Sequence, residues 1–256
     1  MTQPKPDIRL YVPQPLVAGE RLTLGQGQSH YLAQVMRRKA GDSIAVFNGH
    51  DGEWLASVEY VAKKSVTLEV SRLLRLQKRS PDLWLAFAPI KGKTELVAEK
   101  AVELGASALL PVFTRHAVVK SINQEKLEAH AIEAAEQCER MDVPRIEAFK
   151  DLPALLAHWP EDRILFYGDE SGGGTTLRLL LSSLPHGPFG LLIGPEGGFS
   201  AEEHRMLKST PFVKPFGMGP RILRADTAAV AALACLQCWL GDWEEKPACA
   251  PMESHA

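Results

Sequence analysis

No stretch of the 256-residue chain stays apolar over the roughly 18–20 residues that a membrane-spanning helix requires. The start, MTQPKPDIRLYVPQP, is polar and proline-rich and lacks the apolar centre of a secretory signal. A cytoplasmic, membrane-free protein is therefore expected. Cysteine is scarce: Cys138, Cys235, Cys238 and Cys249. Cys235 and Cys238 form a C-x-x-C, but it lies inside AAVAALACLQCWL, where i,i+3 spacing places two small apolar side chains on one helix face. No histidine pair has ligand spacing, so no metal is expected. Neither G-x-x-x-x-G-K-[ST] nor G-x-G-x-x-G occurs, which argues against a nucleotide-phosphate enzyme. Excess charge of one sign is also missing, the net being −2. Its distribution is uneven, however. Residues 1–80 hold 12 Lys/Arg against 7 Asp/Glu, and the remainder 17 against 24. A basic first part is a hint of polyanion contact.

What is present divides into two rhythms. Over residues 8–75, RLYV, SIAVFN, EWLASVEYV and SVTLEV are β-rich, with NGHDGE as a hairpin connection and one helix, SHYLAQVMRR, expected to start at a Ser29 cap. Short strands in so few residues suggest a small barrel. After LQKRSPD the pattern becomes strand–helix alternation: LWLAFAP, KTELVAEKAVELG closed by Gly105, ALLPVF, QEKLEAHAIEAAEQCER, RILFYG, TTLRLLLSSL, FGLLIG, SAEEHRMLKS, FVKPFG and DTAAVAALACLQCWL. This order predicts an α/β domain with a mostly parallel sheet. The expected division is a β-barrel over 1–78, an α/β domain over 79–243, and a disordered tail over 244–256.

Ligands in open α/β sheets sit beyond the C-terminal strand ends. Three glycine-bearing loops are expected there: YGDESGGGTT (167–176), GPEGGFS (194–200) and FGMGPRILRADT (216–227). Ser200 and Glu203 fit a capping box, so a helix follows the second loop at once. Helix N-termini favour anions, yet Glu196 would repel a phosphate and Pro195 removes an amide donor. A glycine turn with an exposed glutamate and a loop approaching a neutral or cationic nucleoside-type ligand both fit. Gly217 and Gly219 permit close backbone approach, and Arg221 and Arg224 raise the prospect of anion binding beside it. Asp226 or Thr227 is expected to cap the last helix.

LLIGPEGGFSAEE followed by GPRILRADTA resembles the paired signature of the 16S rRNA (uracil-N3) methyltransferase family, within the SPOUT, or α/β-knot, superfamily. The likeness extends over residues 8–242 and includes RLYV, HYLAQVMR, FNGHDGEW, KTELVAEKAVELG and EAAEQCERMDVPRI. It implies an RNA-gripping PUA-like barrel and a dimeric methyltransferase domain whose last strand–loop–helix threads a trefoil knot. It further implies methylation of one uridine in the decoding region of the small ribosomal subunit, with S-adenosylmethionine as cofactor. Tyr167, Gly168, Ile193, Gly194, Pro195, Glu196, Gly197, Gly198, Phe216, Gly217, Met218, Gly219, Ile222 and Leu223 are then expected to enclose the cofactor. Arg224 is expected to stabilise charge on the uracil, with Glu196 or Asp226 as base. Arg9, Arg37, Arg38, Lys39, Lys91, Lys93, Arg140 and Arg221 are the expected RNA contacts. The chain departs from the family pattern at Asp226, where Glu is usual, at Met218-Gly219, where Leu-Gly is usual, and at His116, where Arg is usual. The rival classes are a non-catalytic RNA-binding or ribosome-assembly protein, which has no use for convergent glycine loops, and a related methyltransferase acting at another RNA site.

Overall fold

The computed structural model describes residues 6–62, 65–182 and 187–245. The chain divides into two compact units. One holds the residues up to Arg79 together with Ile132–Val143, and the other holds Ser80–Ala131 and the chain from Pro144 onward. Segment 132–143, well past the boundary expected at 79, thus belongs to the first unit. Of the tail expected over 244–256, residues 246–256 lie outside the described residues.

The first unit opens with β1 (Arg9–Tyr11), β2 (Arg21–Thr23) and a short helix α1 (Gln26–His30) that continues as one π-helical turn over Tyr31–Val35. Then follow β3 (Ser43–Phe47), β4 (Glu53–Val61) and β5 (Val66–Arg75). The five strands make one sheet in the order β1-β3-β4-β5-β2. Alternation along the strands sends Leu10, Ile44, Val46, Ala56, Val58, Leu68 and Val70 into one core. Asn48 builds the β3–β4 connection: its Oδ1 accepts the His50 and Asp51 N–H groups, both at 2.9 Å. Ser29 is not a cap. It lies inside α1, where its Oγ donates to Leu24 O at 3.2 Å and accepts the Val66 N–H at 3.0 Å. A buried hydroxyl held by one local carbonyl and one distant strand amide outcompeted capping.

The same unit buries an ion cluster. Glu53 accepts from Arg9 Nε and from Arg75 Nε (2.5 Å) and Nη2 (2.9 Å), and its side chain is 1% exposed. Arg9 spends its other donors on the carbonyls of Ala135, Glu136 and Arg140, each at 3.0 Å. Burial pushes the Glu53 carboxyl up, but the two guanidinium groups outweigh it and hold it below the usual carboxylate range.

The second unit comprises β6 (Leu83–Phe87), α2 (Thr94–Glu103), β7 (Ala108–Phe113), the start of α3 (Gln124–Gln137), whose residues from Ile132 on belong to the first unit, then β8 (Arg145–Ile146), β9 (Lys150–Asp151), α4 (Leu152–Ala157), β10 (Ile164–Gly168), β11 (Thr175–Thr176), α5 (Leu177–Leu181), β12 (Phe189–Ile193), α6 (Ala201–Ser209), β13 (Val213–Gly217) and α7 (Ala225–Leu240). Its strands pair in parallel in the order β11-β13-β10-β12-β6-β7-β8, with β9 also on β7. Because side chains alternate, Leu83, Leu85, Phe87, Phe166, Leu191 and Ile193 enter one core with Val97 and Ala101 of α2 and Ala229, Leu233 and Leu236 of α7. Their neighbours Ala86, Leu165, Tyr167 and Leu192 enter a second core with Leu155 of α4 and Leu207 of α6. Helices therefore cover both faces, as parallel strands require. Gly190 is needed in β12 because a Cβ there would collide with the Trp159 ring.

Two local details of α2 and α7 position the site. Gly105, at φ +78°, ends α2 as its position in ELG suggests. The cap of α7 is Arg224, without a side-chain cap bond, rather than Asp226 or Thr227. Asp226 is occupied elsewhere: it pairs with Lys93. Cys235 and Cys238 both lie on α7, half-buried and exposed respectively, and Cys249 lies outside the described residues. Among the described residues, no helix is long and apolar enough to cross a membrane.

Candidate functional site

The C-terminal ends of β6, β10, β12 and β13 open into one cavity of about 740 Å³, whose wall also includes Ala225, Asp226 and Ala228 of α7. This size suits a small organic ligand. The chain reaches it by four separate loops. After β6, the loop 88–93 brings Ile90, Lys91 and Lys93; after β10 come Gly168, Asp169, Glu170, Ser171 and Gly172; after β12, Gly194, Pro195, Glu196 and Gly198; after β13, the whole of 217–224.

The Gly194–Phe199 turn is tightly defined. The Gly198 N–H donates to Pro195 O at 2.9 Å, and the Phe199 N–H donates to Glu170 Oε1 at 3.1 Å. Gly198 sits at φ +67°, and a Cβ there would collide with the Glu170 carboxylate. At Gly194 a Cβ would stand 2.8 Å from the Phe199 ring. Immediately beyond, the capping box forms: Ser200 Oγ accepts the Glu203 N–H at 3.3 Å, and Glu203 Oε2 accepts the Ser200 N–H at 2.7 Å. Glu203 Oε1 also takes the Arg115 N–H at 2.8 Å, tying the loop after β7 to the start of α6.

Beneath the turn lies a polar cluster. The Asp169 carboxylate, 0% exposed, accepts from Ser171 Oγ (2.5 Å), Ser171 N–H (3.0 Å) and Lys208 Nζ (3.2 Å). Burial pushes this carboxyl up, but the Ser171 and Lys208 contacts prevail and hold it below the usual range. Tyr167 donates its OH to Asp169 at 3.4 Å, and burial raises its phenol above the ordinary value. His204 Nε2 lies 3.4 Å from Glu170 Oε1. Asp169, Glu170 and His204 bring ligand atoms within 4.8 Å of one another, but the Lys208 ammonium already provides the cation that Asp169 needs.

Most of the residues expected around a cofactor line this cavity: Gly168, Ile193, Gly194, Pro195, Glu196, Gly198, Phe216, Gly217, Met218, Gly219, Ile222 and Leu223. Two do not. The Tyr167 ring faces the opposite side of the sheet, edge-on to Phe199, because alternation along β10 sends its neighbour Gly168 to the cavity. Gly197 is turned away, its carbonyl meeting His116. Arg221, Arg224, Asp226, Lys91 and Lys93 line the cavity as well. The Lys93 ammonium holds the Asp226 carboxyl below the usual range.

The expected RNA contacts separate. Arg37 and Lys39 are exposed, Arg37 in the left-handed region at φ 52°. Arg38 pairs with Asp7 at 2.6 Å. Arg9 is a correction: buried against Glu53, it has no surface to offer RNA. Arg140 is a second: its side chain is 7% exposed and bound to Asp142 at 2.7 Å. Both were picked by charge alone. Sequence reasoning also missed Asp169, Glu170, Ser171 and Ile90 as lining; DESGGG marked the loop but not which of its residues face inward.

A family profile described as an RNA methyltransferase domain matches residues 77–237, and one described as an RNA methyltransferase PUA domain matches 24–71. Ribosomal RNA small subunit methyltransferase E of Rickettsia conorii is 32% identical over 229 residues, 88% of this chain and 93% of the relative. The protein of the same name from Bacillus subtilis is 32% identical over 220 residues, 81% of this chain and 86% of the relative. Among solved structures, a Legionella pneumophila methyltransferase in complex with the cofactor SAM shares 34% identity and a TM-score of 0.83, covering 92% of this chain and 98% of its own. Together the profiles and these relatives show that the chain belongs to the RNA methyltransferase family, in the group of the ribosomal RNA small subunit methyltransferases E.

Proposed function

We propose that this protein transfers a methyl group from S-adenosylmethionine to N3 of a single uracil in the decoding region of 16S rRNA, acting on the small ribosomal subunit. The observation that carries the reading is the cavity at the ends of β6, β10, β12 and β13, with its glycine turns, the Glu170 and Glu196 carboxylates, and Arg221 and Arg224 in its wall. The named relatives and the SAM-bound neighbour support the same reading.

The residues present fit that cofactor. Glu170 and Glu196 stand in the wall, where carboxylates disfavour a phosphate beside them and suit a cationic, phosphate-free nucleoside. Gly217 and Gly219, open on their Cβ side, let a ligand approach the backbone closely, while Ile193, Met218 and Leu223 offer apolar surface to a base. S-Adenosylmethionine, when bound, supplies an electrophilic methyl group on a sulfonium.

The chain's own groups manage the uracil. Arg224 stands at the N-cap of α7, where the helix amides add to its charge, and stabilises the negative charge that develops over the uracil oxygens. Removal of the N3 proton needs a base. Asp226 is the poorer choice, because Lys93 holds it as a weakly basic carboxylate. Glu196, exposed on the cavity rim, takes that role. Arg221 contacts RNA phosphate from the cavity side, and Arg37 and Lys39 do so from the first unit. The protein works as a homodimer in the cytoplasm, with the last strand–loop–helix threaded as a trefoil knot.

The test is transfer of labelled methyl groups from S-adenosylmethionine to small subunits that lack the modification. Wild-type protein should label 16S rRNA, and Met218→Trp, which fills the cavity, should abolish labelling while the protein stays folded. Full labelling by Met218→Trp would remove the cavity from the reaction.

A further inference from the structure

From the geometry of the Gly194–Phe199 turn we infer that His116 is a positioning residue for cofactor binding, and that it acts by locking the two peptide planes of that turn. The inference rests on the reading of the cavity as the cofactor site.

His116 lies in the loop after β7, on a turn closed by the Ala117 N–H donating to Thr114 O at 3.2 Å. Its backbone is anchored one residue earlier by the Arg115–Glu203 bond, so the ring is carried on a loop tied to the capping box of α6. His116 Nδ1 stands 3.1 Å from Gly197 O and 3.2 Å from Gly198 O. Both neighbours are carbonyls and only accept. Nδ1 therefore carries the proton and donates to both, which fixes the tautomer. The approach is close in other atoms too: a Cβ on Gly197 would stand 3.1 Å from His116 Cβ.

The consequence follows from the other ends of those peptides. The Gly197–Gly198 peptide gives its N–H to Pro195 O and its carbonyl to His116. The Gly198–Phe199 peptide gives its N–H to Glu170 and its carbonyl to His116. Each plane is thus gripped on both edges, and the rotation open to glycine backbone is removed. Pro195, Glu196 and Gly198 of the same turn form cavity wall. Without the Nδ1 donor the wall samples other conformations, and binding then has to order it again. His116 touches the cofactor's wall from behind and is absent from the cavity lining. Its effect should accordingly fall on affinity rather than on the chemical step.

Three variants read this out. His116→Phe keeps a ring and loses the donor. His116→Asn places an amide Nδ2–H on Cγ, where the imidazole carries Nδ1–H. Met218→Trp blocks the cavity directly. S-Adenosylmethionine binding by calorimetry and steady-state methyl transfer are measured for each. His116→Phe should raise the cofactor Kd and KM roughly three- to tenfold, the worth of one hydrogen bond. Its kcat at saturating cofactor should stay within about twofold, with the melting temperature lowered by no more than roughly 2–4 °C, the share of one hydrogen bond. His116→Asn should restore most of the affinity. Wild-type affinity in His116→Phe, or equal losses in Phe and Asn variants, would overturn the role assigned to His116 while leaving the cavity in place. Wild-type affinity in Met218→Trp would instead overturn the reading of the cavity itself.

Discussion

Replacing Gly198 by alanine perturbs the turn at its most constrained point, and the cost can be worked from two terms. The residue sits at φ +67°, where a non-glycine side chain costs about 1–2 kcal/mol. The new Cβ also collides with the Glu170 carboxylate, a movable group whose displacement breaks the 3.1 Å bond from the Phe199 N–H. Losing that bond costs about 1 kcal/mol more. Together they give about 2–3 kcal/mol, or a fall in melting temperature of roughly 4–12 °C for a chain of this size. Cofactor affinity should drop as well, since Gly198 is part of the cavity wall. A double-mutant cycle isolates the collision. In a Glu170→Ala background the carboxylate is absent, so Gly198→Ala should cost only the backbone term. Thermal unfolding and calorimetric titration of the four proteins measure the cycle. A Gly198→Ala cost that is equal in both backgrounds would refute the claim that Glu170 and Gly198 are coupled.

Glu53→Gln leaves the buried Arg9 and the half-buried Arg75 facing a neutral amide and should cost about 3–5 kcal/mol, read as a lowered midpoint in urea unfolding. Glu136 accepts the Tyr11 N–H at 2.8 Å, and burial raises its carboxyl to about 7. Its folded value lies above its unfolded one, so its contribution is fully present below the unfolded value and is lost as pH rises toward 7. Glu136→Gln keeps the acceptor without the charge and should flatten the melting temperature between about pH 5 and pH 7; an unchanged slope would count against it. Arg224→Ala should cut kcat about a hundredfold or more while cofactor affinity changes little, as single-turnover methyl transfer would show.

Much of the fold was legible because the features that announced it are local. The S-x-x-E of Ser200 and Glu203 forms the capping box, and ELG ends α2 at Gly105. Apolar runs bounded by glycine, proline or charged residues became the parallel strands β6, β7, β10 and β12. Short elements escaped: RI, KD and LPALLA carry too few residues to show a period, yet they form β8, β9 and α4. The three glycine loops did converge, because loops that follow parallel strands share one edge of the sheet. What lies between them was not readable. Asp226 meets Lys93 across 133 residues of sequence, and Arg9 meets Glu53 across 44. Such pairs have no periodic trace, so charge counting placed Arg9 and Arg140 on the RNA surface although the fold buries them. His116 shows the converse. As a departure from the family pattern it drew notice in the sequence, but only the packed turn gives its ring two carbonyls to hold.

The central claim is that the cavity directs one methyl group to one uracil nitrogen. Its most direct test is nuclease digestion and mass spectrometry of 16S rRNA from small subunits incubated with the protein and S-adenosylmethionine. The account predicts N3-methyluridine at a single position in the decoding region. Methyl groups on ribose, on cytosine or at scattered uridines would contradict it.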